Sequence, residues 1–207
     1  MDQPNYNLLV WNVRGLNSAA HRDALRGVVR DAKASVVCIQ ETKLSAISLF
    51  IISEMLGTRF SSFAYVPAVG ACGGGVLIAC CDQDFTLSLV NVGRFSVSVL
   101  LQASDGSEPW CLTSVYGPQP DADKVEFLAE LRSIRSSISH PWMIAGDLNL
   151  ILDATDKNNF NLNRRNMGRF RRFVDEMELK DVPLHGRYSR GVTRERTQHL
   201  RSWTVFW

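Results

Sequence analysis

Five polar residues stand where apolar stretches of the sequence give way to turns: Asn12, Glu41, Tyr116, Asp147 and Asn149. Carboxylate and amide oxygens, without histidine or cysteine, are the ligands that Mg²⁺ prefers beside water and a substrate phosphate. A carboxylate oriented by an amide can accept the proton of an attacking water, and a phenol can donate to a phosphate oxygen. Together these residue types indicate metal-assisted hydrolysis of a phosphoester.

The placement of these residues indicates that they share one cleft. In the run Gly146-Asp147-Leu148-Asn149, the i, i+2 spacing of an extended chain directs both polar side chains to the same side. Taken singly, each residue is compatible with a cap or a turn. Four strands that each end in an acid, an amide or a phenol at one edge of a sandwich are better explained by a common polar cleft.

Hydrophobic patterning indicates which elements position this cleft. Apolar and alternating stretches predict strands at residues 7–12, 35–41, 62–116 (five strands) and 140–151. Helical spacing predicts helices after Ser18 and at residues 45–56, 119–139 and 166–178. Early helices, a central run of strands and a final return from helix to strand favour an α/β fold with two packed sheets and helices outside them.

The bulk composition is that of one globular domain. The chain has 207 residues, of which 45% are hydrophobic and 21% charged, which suits a single sizeable core. We expect an intracellular protein, because the N-terminus lacks signal-peptide features and no apolar run approaches the roughly 18 residues of a membrane span. The five cysteines are an odd number without a CxxC pair, which predicts buried, reduced thiols rather than disulfides or a zinc site.

Charge is distributed unevenly along the chain. Residues 1–156 carry 11 Lys and Arg against 16 Asp and Glu, whereas residues 157–207 carry 12 against 5. A basic C-terminal quarter fits an anionic partner, although a solvated basic surface explains the charge equally well.

The motifs WNVRGLN, IQETK, VYGP and GDLNLIL, in this order, resemble those of the endonuclease/exonuclease/phosphatase superfamily, which includes DNase I and the apurinic/apyrimidinic endonucleases. The stretch DKNNFNLNRRNMGRFRRFVDEMELKDVPLHGRYS further resembles the endonuclease domains of plant LINE-type retrotransposons. The resemblance covers about residues 7–189. It implies a DNase I-like four-layer α/β/β/α sandwich lacking its final strands, in an intracellular, nuclear protein that acts on DNA.

The resemblance also implies a role for each polar residue at the predicted edge. Glu41 would hold the metal, Mg²⁺ or Mn²⁺, and Asn12 would help to position the acid and the phosphate. Tyr116 would contact the scissile phosphate, Asp147 would orient or deprotonate the attacking water, and Asn149 would hold the phosphate or that aspartate.

Five arginines are candidates for binding nucleic acid: Arg14, Arg164, Arg165, Arg169 and Arg172. Arg14 stands where many relatives have a second acidic residue, and arginine is common there in the plant elements that the chain resembles. Arg164 and Arg165 precede the predicted helix at 166–178, and Arg169 and Arg172 lie on its outward face, where guanidinium groups can hold phosphates without reading sequence.

Residues 190–207 depart from the family pattern. The resemblance implies a strand of the type TWSN…LDR and a final SDH motif, and the chain instead has RGVTRERTQHLRSWTVFW. Read two nucleotides out of frame, permitted codons give Trp-Ser-Asn from Arg190 and Leu-Asp-Arg from Ser202. We therefore predict an incomplete domain at 7–189 and an out-of-frame tail at 190–207, with impaired catalysis.

Three functional hypotheses follow from the sequence. The first is a Mg²⁺-dependent phosphodiesterase of LINE endonuclease type that nicks DNA, with no membrane and no obligate protein partner. The second is an inactive retroelement remnant. The third is a phosphoesterase of the same fold that acts on a small molecule, against which the basic C-terminal quarter argues.

Overall fold

The computed structural model describes residues 6–69, 74–153 and 163–182, together with the backbone of residues 203–206. In chain order, the elements of this part are β1 (Asn7–Asn12), α1 (Ala19–Asp31), β2 (Ala34–Gln40), α2 (Leu49–Leu56), β3 (Ser62–Val66), β4 (Val76–Cys80), β5 (Phe85–Val92), β6 (Ser96–Ala103), β7 (Trp110–Tyr116), α3 (Lys124–Ser136), β8 (Trp142–Asp147), α4 (Arg164–Glu176) and β9 (Trp203–Phe206).

The strands form two sheets, with the orders β1-β2-β4-β3 and β5-β6-β7-β8-β9. The pairs β1/β2 and β7/β8 are parallel, and the other neighbours are antiparallel. The predicted central run of strands is therefore divided, because β3 and β4 join the first sheet and β5, β6 and β7 join the second.

Three hydrophobic clusters separate four layers. Between the sheets, side chains such as Val36 and Ile78 of the first sheet share a cluster with Val97 and Leu112 of the second. On the outer face of the first sheet, residues of α1 and α2 pack against β2 and β4. On the outer face of the second sheet, residues of α3 and α4 pack against β7 and β8. This arrangement confirms the predicted α/β/β/α sandwich.

Helix boundaries follow local capping chemistry. The Ser18 hydroxyl accepts a hydrogen bond from the His21 N–H at 3.2 Å and begins α1 as predicted. Helix α2 begins at Leu49, four residues later than predicted, because Ser48 caps it. Helix α3 begins at Lys124 rather than near residue 119, since a residue before proline avoids the helical region and Pro120 follows Gln119.

The cysteine prediction is confirmed for the four cysteines in the described part. Cys38, Cys80, Cys81 and Cys111 are buried and free of disulfides, whereas Cys72 lies outside the described residues. Burial raises the pKa of the Cys38 and Cys80 thiols to about 12 and that of Cys111 to about 11. Among the described residues, no helix has the length and apolar character needed to cross a membrane.

Strand β9 lies within the predicted tail. It pairs antiparallel with β8, and Trp203 stands opposite Asp147 in the register. The domain limits at 7–189 and 190–207 and the out-of-frame origin of residues 190–207 stay predictions, because they depend on the coding DNA as well as on the fold.

Candidate active site

Four of the predicted residues lie at one edge of the two sheets. Asn12 ends β1, Glu41 follows β2, Tyr116 ends β7 and Asp147 ends β8. The two parallel pairs align Asn12 with Gln40 and Tyr116 with Asp147. Each pair therefore presents its polar ends side by side, because parallel strands finish at the same edge of a sheet.

Two hydrogen bonds connect the sheets at this edge. The Asn12 Nδ2 of the first sheet donates to the Asp147 Oδ2 of the second at 3.2 Å. The Tyr116 hydroxyl of the second sheet donates to the Glu41 Oε1 at 2.9 Å. These bonds bring an acid from each sheet into one polar group, which we call the catalytic cluster: Asn12, Glu41, Tyr116 and Asp147.

Asn149 supports the catalytic cluster through its backbone. Its N–H donates to the Asp147 Oδ1 at 3.1 Å, while its side-chain Nδ2 donates to the Gly117 carbonyl at 2.7 Å. Its Oδ1 accepts a hydrogen bond from the Gln119 Nε2 at 2.8 Å. The side-chain amide thus braces the loop after β7, and the backbone amide holds the aspartate.

Burial has the largest effect on Asp147, a residue that is 8% exposed, and the pKa of its carboxyl is raised above the usual value. Desolvation raises the pKa of the carboxyl, whereas the Asn149 N–H and the Asn12 amide lower it. The negative charge of Glu41 raises the same pKa further, and the positive charge of Arg14 lowers it. A cation between the two carboxylates would relieve both desolvation and their mutual repulsion.

Tyr116 remains a hydrogen-bond donor in this setting. Burial raises the pKa of its phenol, and the hydrogen bond to Glu41 and the charges of Glu41 and Asp147 raise it further. A side-chain hydrogen bond with Gln119 lowers the pKa in part. The phenol therefore keeps its proton and can donate a hydrogen bond to an acceptor oxygen.

The backbone is strained around the catalytic cluster. Three predicted site residues have a positive φ that L-residues rarely adopt: Arg14 at 55°, Glu41 at 56° and Asn149 at 51°. Lys43 beside them has a φ of 55°. Such conformations cost about 1–3 kcal/mol each and persist where the surrounding structure fixes them, which is common at functional sites.

Gly74 allows the loop before β4 to approach the cluster. A Cβ atom at this position would lie 2.5 Å from the Tyr116 ring and 3.3 Å from the Glu41 Cγ. The Gly74 carbonyl also accepts a hydrogen bond from the Lys43 N–H at 2.9 Å. Only glycine fits against the Tyr116–Glu41 pair without moving it.

The donor set of the cluster fits a hard divalent cation with few protein ligands. Glu41 and Asp147 supply carboxylate oxygens, and Asn12 supplies an amide. Within residues 6–69, 74–153 and 163–182, no group of three or more His, Cys, Asp and Glu side chains stands ready to enclose a metal. Two carboxylates with room for water and phosphate are typical of Mg²⁺ sites, whereas zinc and calcium sites use more protein ligands.

Of the five candidate arginines, Arg14 lies nearest the catalytic cluster. Its N–H donates to the Asn12 Oδ1 at 3.2 Å, and its exposed side chain acts electrostatically on Asp147. Arg164 and Arg165 are exposed in the first turn of α4. Arg169 and Arg172 lie further along the same helix, where both face α3.

Two hydrogen bonds hold the start of α4 beside the loop that leaves the cluster. The Asp121 carboxylate accepts from the Asn163 Nδ2 at 2.5 Å and from the Asn166 Nδ2 at 2.8 Å. Asp121 is two residues from Gln119, which contacts Asn149. These contacts thus link the start of α4, where Arg164 and Arg165 lie, to the catalytic cluster.

Three structural partners of the site were not predicted from the sequence. Gln40 is fully buried, and its Nε2 donates to the Ser114 Oγ across the sheets at 2.9 Å. Gln119 contacts Asn149, and the buried Asn166 contacts Asp121. Gln40 and Gln119 each adjoin a motif residue in sequence, which is a weak signal. Nothing local marks Asn166, because its partner lies 45 residues away.

Comparison with known proteins gives one family match and several similar structures. The model of the Endonuclease/Exonuclease/phosphatase family matches residues 9–207. The fold is similar to that of the endonuclease domain of TRAS1, a telomere-specific non-LTR retrotransposon, at 19% identity and a TM-score of 0.65, covering 98% of this chain and 84% of that chain. It is also similar to the AP endonuclease LMAP from Leishmania major, at 17% identity and a TM-score of 0.67, covering 97% of this chain and 78% of that chain.

A third similar structure is an endonuclease/exonuclease/phosphatase family protein from Bacteroides thetaiotaomicron, at 15% identity and a TM-score of 0.64, covering 99% of this chain and 84% of that chain. No curated protein sequence matches the chain. At these identities the structural likeness establishes a shared fold.

Proposed function

The chain belongs to the Endonuclease/Exonuclease/phosphatase family, and from this premise we propose that it is a Mg²⁺-dependent DNA endonuclease of the LINE retrotransposon type, which nicks DNA and whose catalysis is impaired in this chain. The observation that carries the proposal is the pair of hydrogen bonds across the sheets, Asn12 to Asp147 and Tyr116 to Glu41. They unite two carboxylates, an amide and a phenol at one sheet edge, which are the groups that phosphodiester hydrolysis requires.

Each residue of the cluster has a task in this reaction. Asp147 accepts the proton of the attacking water, while Asn12 and the Asn149 N–H hold its two oxygens in place. Tyr116 keeps its proton, and its hydroxyl would turn from Glu41 to donate a hydrogen bond to a phosphate oxygen. A fixed base at hydrogen-bond distance of a water contributes typically about 10²–10⁴-fold to the rate.

Glu41 would hold the metal, and the Asp147 carboxylate lies beside Glu41. A bound Mg²⁺ supplies positive charge that polarises the phosphate and offsets the charge that develops on its oxygens. The support for Mg²⁺ is chemical. The four residues of the cluster offer oxygen donors and include no histidine or cysteine, and no group of three or more His, Cys, Asp and Glu is found among the described residues.

DNA would reach the cluster over a basic border. Arg14 lies beside the cluster, and Arg164 and Arg165 lie on the adjacent start of α4, exposed and within reach of a phosphate backbone. We also propose that Arg169 and Arg172 contact the DNA backbone. A nuclear location for the protein is a further part of the proposal. Contacts of this kind fix the position of a duplex without reading its sequence.

The test is a nicking assay with supercoiled plasmid, in Mg²⁺ and after chelation with EDTA. We expect relaxation of the plasmid by the unaltered chain only with the metal, and none by the Asp147→Ala variant. The Asp31→Asn variant is the control, since Asp31 is an exposed acid paired with Arg30 on α1. Nicking that survives Asp147→Ala would contradict the proposal.

The same assay separates the rival functions. Hydrolysis of a soluble phosphoester in preference to DNA would favour a small-molecule phosphoesterase, and no hydrolysis of either would favour an inactive remnant. The frame hypothesis for residues 190–207 has its own test. It fails if no shifted frame across these codons encodes Trp-Ser-Asn followed by Leu-Asp-Arg.

A further inference from the structure

Helices α3 and α4 enclose a groove on the outer face of the second sheet, with a volume of about 230 Å³. Each helix contributes three side chains at i, i+3 or i+4, and i+7: Val125, Leu128 and Arg132 from α3, and Arg169, Arg172 and Glu176 from α4. This spacing places each set of three on one helix face. The α3/α4 groove therefore has an apolar part and three guanidinium groups.

The positive charge of the groove is only partly neutralised. Arg132 donates to the Glu176 carboxylate at 2.9 and 2.7 Å, and Arg169 donates to the Asn166 Oδ1 at 2.9 Å. Arg172 has no hydrogen-bond or ion-pair partner in the described part of the chain. One carboxylate thus faces three guanidinium groups, so the groove attracts an anion.

The charge order of α4 is the reverse of the order that stabilises a helix. Its first turn contains Arg164 and Arg165 and no acid, and its last turn contains Asp175 and Glu176 and no base. The helix dipole favours acids at the start and bases at the end. Helix α3 beside it follows that preference, with Glu126 in the first turn and Arg135 in the last. The helix dipole therefore does not explain Arg164 and Arg165, and the groove arginines Arg169 and Arg172 lie in the middle of the helix, where the dipole has little effect.

Asp121 connects the groove to the catalytic cluster. Its carboxylate accepts hydrogen bonds from the Lys124 Nζ of α3 at 3.0 Å and from Asn166 of α4, so it joins the starts of both helices. Hydrogen bonds from Lys124 and Asn163 hold the pKa of this carboxyl below its usual value, which keeps it charged. The contacts from Asp121 to Asn166 and from Asn166 to Arg169 then orient the first arginine of the groove.

We propose that the α3/α4 groove is a second phosphate-binding position, at which Arg132, Arg169 and Arg172 hold the backbone of a DNA strand outside the catalytic cluster. The proposal rests on the proposed function for the identity of the anion. Guanidinium groups bind phosphate oxygens in bidentate fashion, and Val125, which is 50% exposed, offers apolar contact to the deoxyribose carbons. Asp121 links the two sites, since it contacts Asn166, the partner of Arg169 in the groove, and lies two residues from Gln119, which contacts Asn149.

Glu176 offers a specific test of this proposal, because its carboxylate forms an ion pair with Arg132 and would compete with phosphate for that guanidinium group. Removing the carboxylate should tighten DNA binding, although it breaks an ion pair between two helices. A purely structural role for the Arg132–Glu176 pair predicts no gain in affinity. The matched control is Asp175→Asn, which makes the same charge change on the neighbouring residue, outside the lining of the groove.

The experiment measures binding of a fluorescent duplex of about 20 base pairs to the full chain carrying Asp147→Asn, over a series of salt concentrations. We expect Glu176→Gln to lower Kd about threefold relative to Asp175→Asn. We expect Arg172→Gln to raise Kd about three- to tenfold and to reduce the salt slope by about 0.9, the value of one phosphate contact. Its control is Arg171→Gln, because Arg171 pairs with Asp153 and does not line the groove.

The outcomes separate the groove from the proposed function. If no chain binds DNA, the proposed function fails and the groove loses its ligand. If DNA binds and the groove variants match their controls, the second phosphate position is overturned together with the DNA contact proposed for Arg172, while the proposed nicking at the catalytic cluster stands. Binding of a polyglutamate peptide that depends on Arg172, without such dependence for DNA, would overturn it in favour of an acidic protein partner.

Discussion

The catalytic cluster and helix α4 hold their charges in different ways. In the cluster, Asp147 is 8% exposed, and its two oxygens and the Glu41 carboxylate are fixed by hydrogen bonds from a strained backbone and from both sheets. The arginines at the start of α4 are exposed on a regular helix. Chemistry depends on fixed atomic positions, whereas retention of a polyanion depends on the number and density of charges.

Substitutions in the two regions should therefore change different quantities. Changes in the catalytic cluster should lower kcat and leave DNA affinity nearly intact. Changes in α4 should alter Kd and its salt dependence and leave kcat nearly intact.

The largest effect is expected for Glu41→Gln, which removes the negative charge that would hold the metal. We expect the nicking rate at saturating DNA to fall at least about 10²-fold, with a higher Mg²⁺ concentration for half-maximal rate. The control is Glu108→Gln, an exposed acid next to the opposite end of β7. Equal rates for the two variants across a Mg²⁺ titration would remove Glu41 from the site.

Gly74→Ala tests whether position alone matters in the cluster. The new Cβ would lie 2.5 Å from the Tyr116 ring and force it away from Glu41. A displacement of about 1 Å lowers rates by up to about 10²-fold, so we expect a kcat about 10- to 10²-fold lower. Gly27→Ala in α1 is the control, because its Cβ would meet nothing within 4 Å. Full activity of Gly74→Ala would show that the contact is dispensable.

The paired substitution of Arg164 and Arg165 by glutamine tests the other side of the comparison. We expect Kd for duplex DNA to rise about tenfold and the salt slope to fall by about 1 to 2, with kcat almost unchanged. The control pair is Arg26→Gln with Arg30→Gln, two exposed arginines of α1. The same loss in both pairs would indicate a general charge effect and no specific role for α4.

The smallest effect concerns the stability of α4. Arg165→Glu places an acid near the start of the helix, where the dipole favours it by about 0.3–1 kcal/mol. We expect a slightly higher free energy of unfolding in urea together with weaker DNA binding. Arg30→Glu in the last turn of α1 should have the opposite effect on stability, since a base is favoured there. A loss of stability in Arg165→Glu would show that its guanidinium group has a structural task.

The sequence predicted residue types and elements better than contacts. Strand β1 was predicted at the residues observed, and five strands were predicted and found within residues 62–116, because their apolar or alternating patterns are bounded by clear turns. The helical spacing of Phe170 and Phe173 in α4 indicates one apolar face, and both residues are buried. Periodicity determines which face of an element is apolar, so such features follow from local sequence.

Partners distant in sequence could not be predicted in this way. The bond from Asn12 to Asp147 spans 135 residues, and that from Asn166 to Asp121 spans 45. Both depend on how the two sheets and the outer helices pack. Asn149 illustrates the same limit, because its backbone holds Asp147 while its side chain turns to Gly117. The amide was predicted at the site, and its orientation depends on a positive φ that the sequence does not reveal.

The most direct test of the account compares nicking and binding of the same DNA by Asp147→Asn, a substitution that keeps the shape of the side chain. We expect Mg²⁺-dependent nicking to fall at least about 10²-fold while Kd stays within about twofold of the unaltered chain. Nicking at the unaltered rate by Asp147→Asn, with Mg²⁺ still required, would contradict the claim that this cluster performs the chemistry.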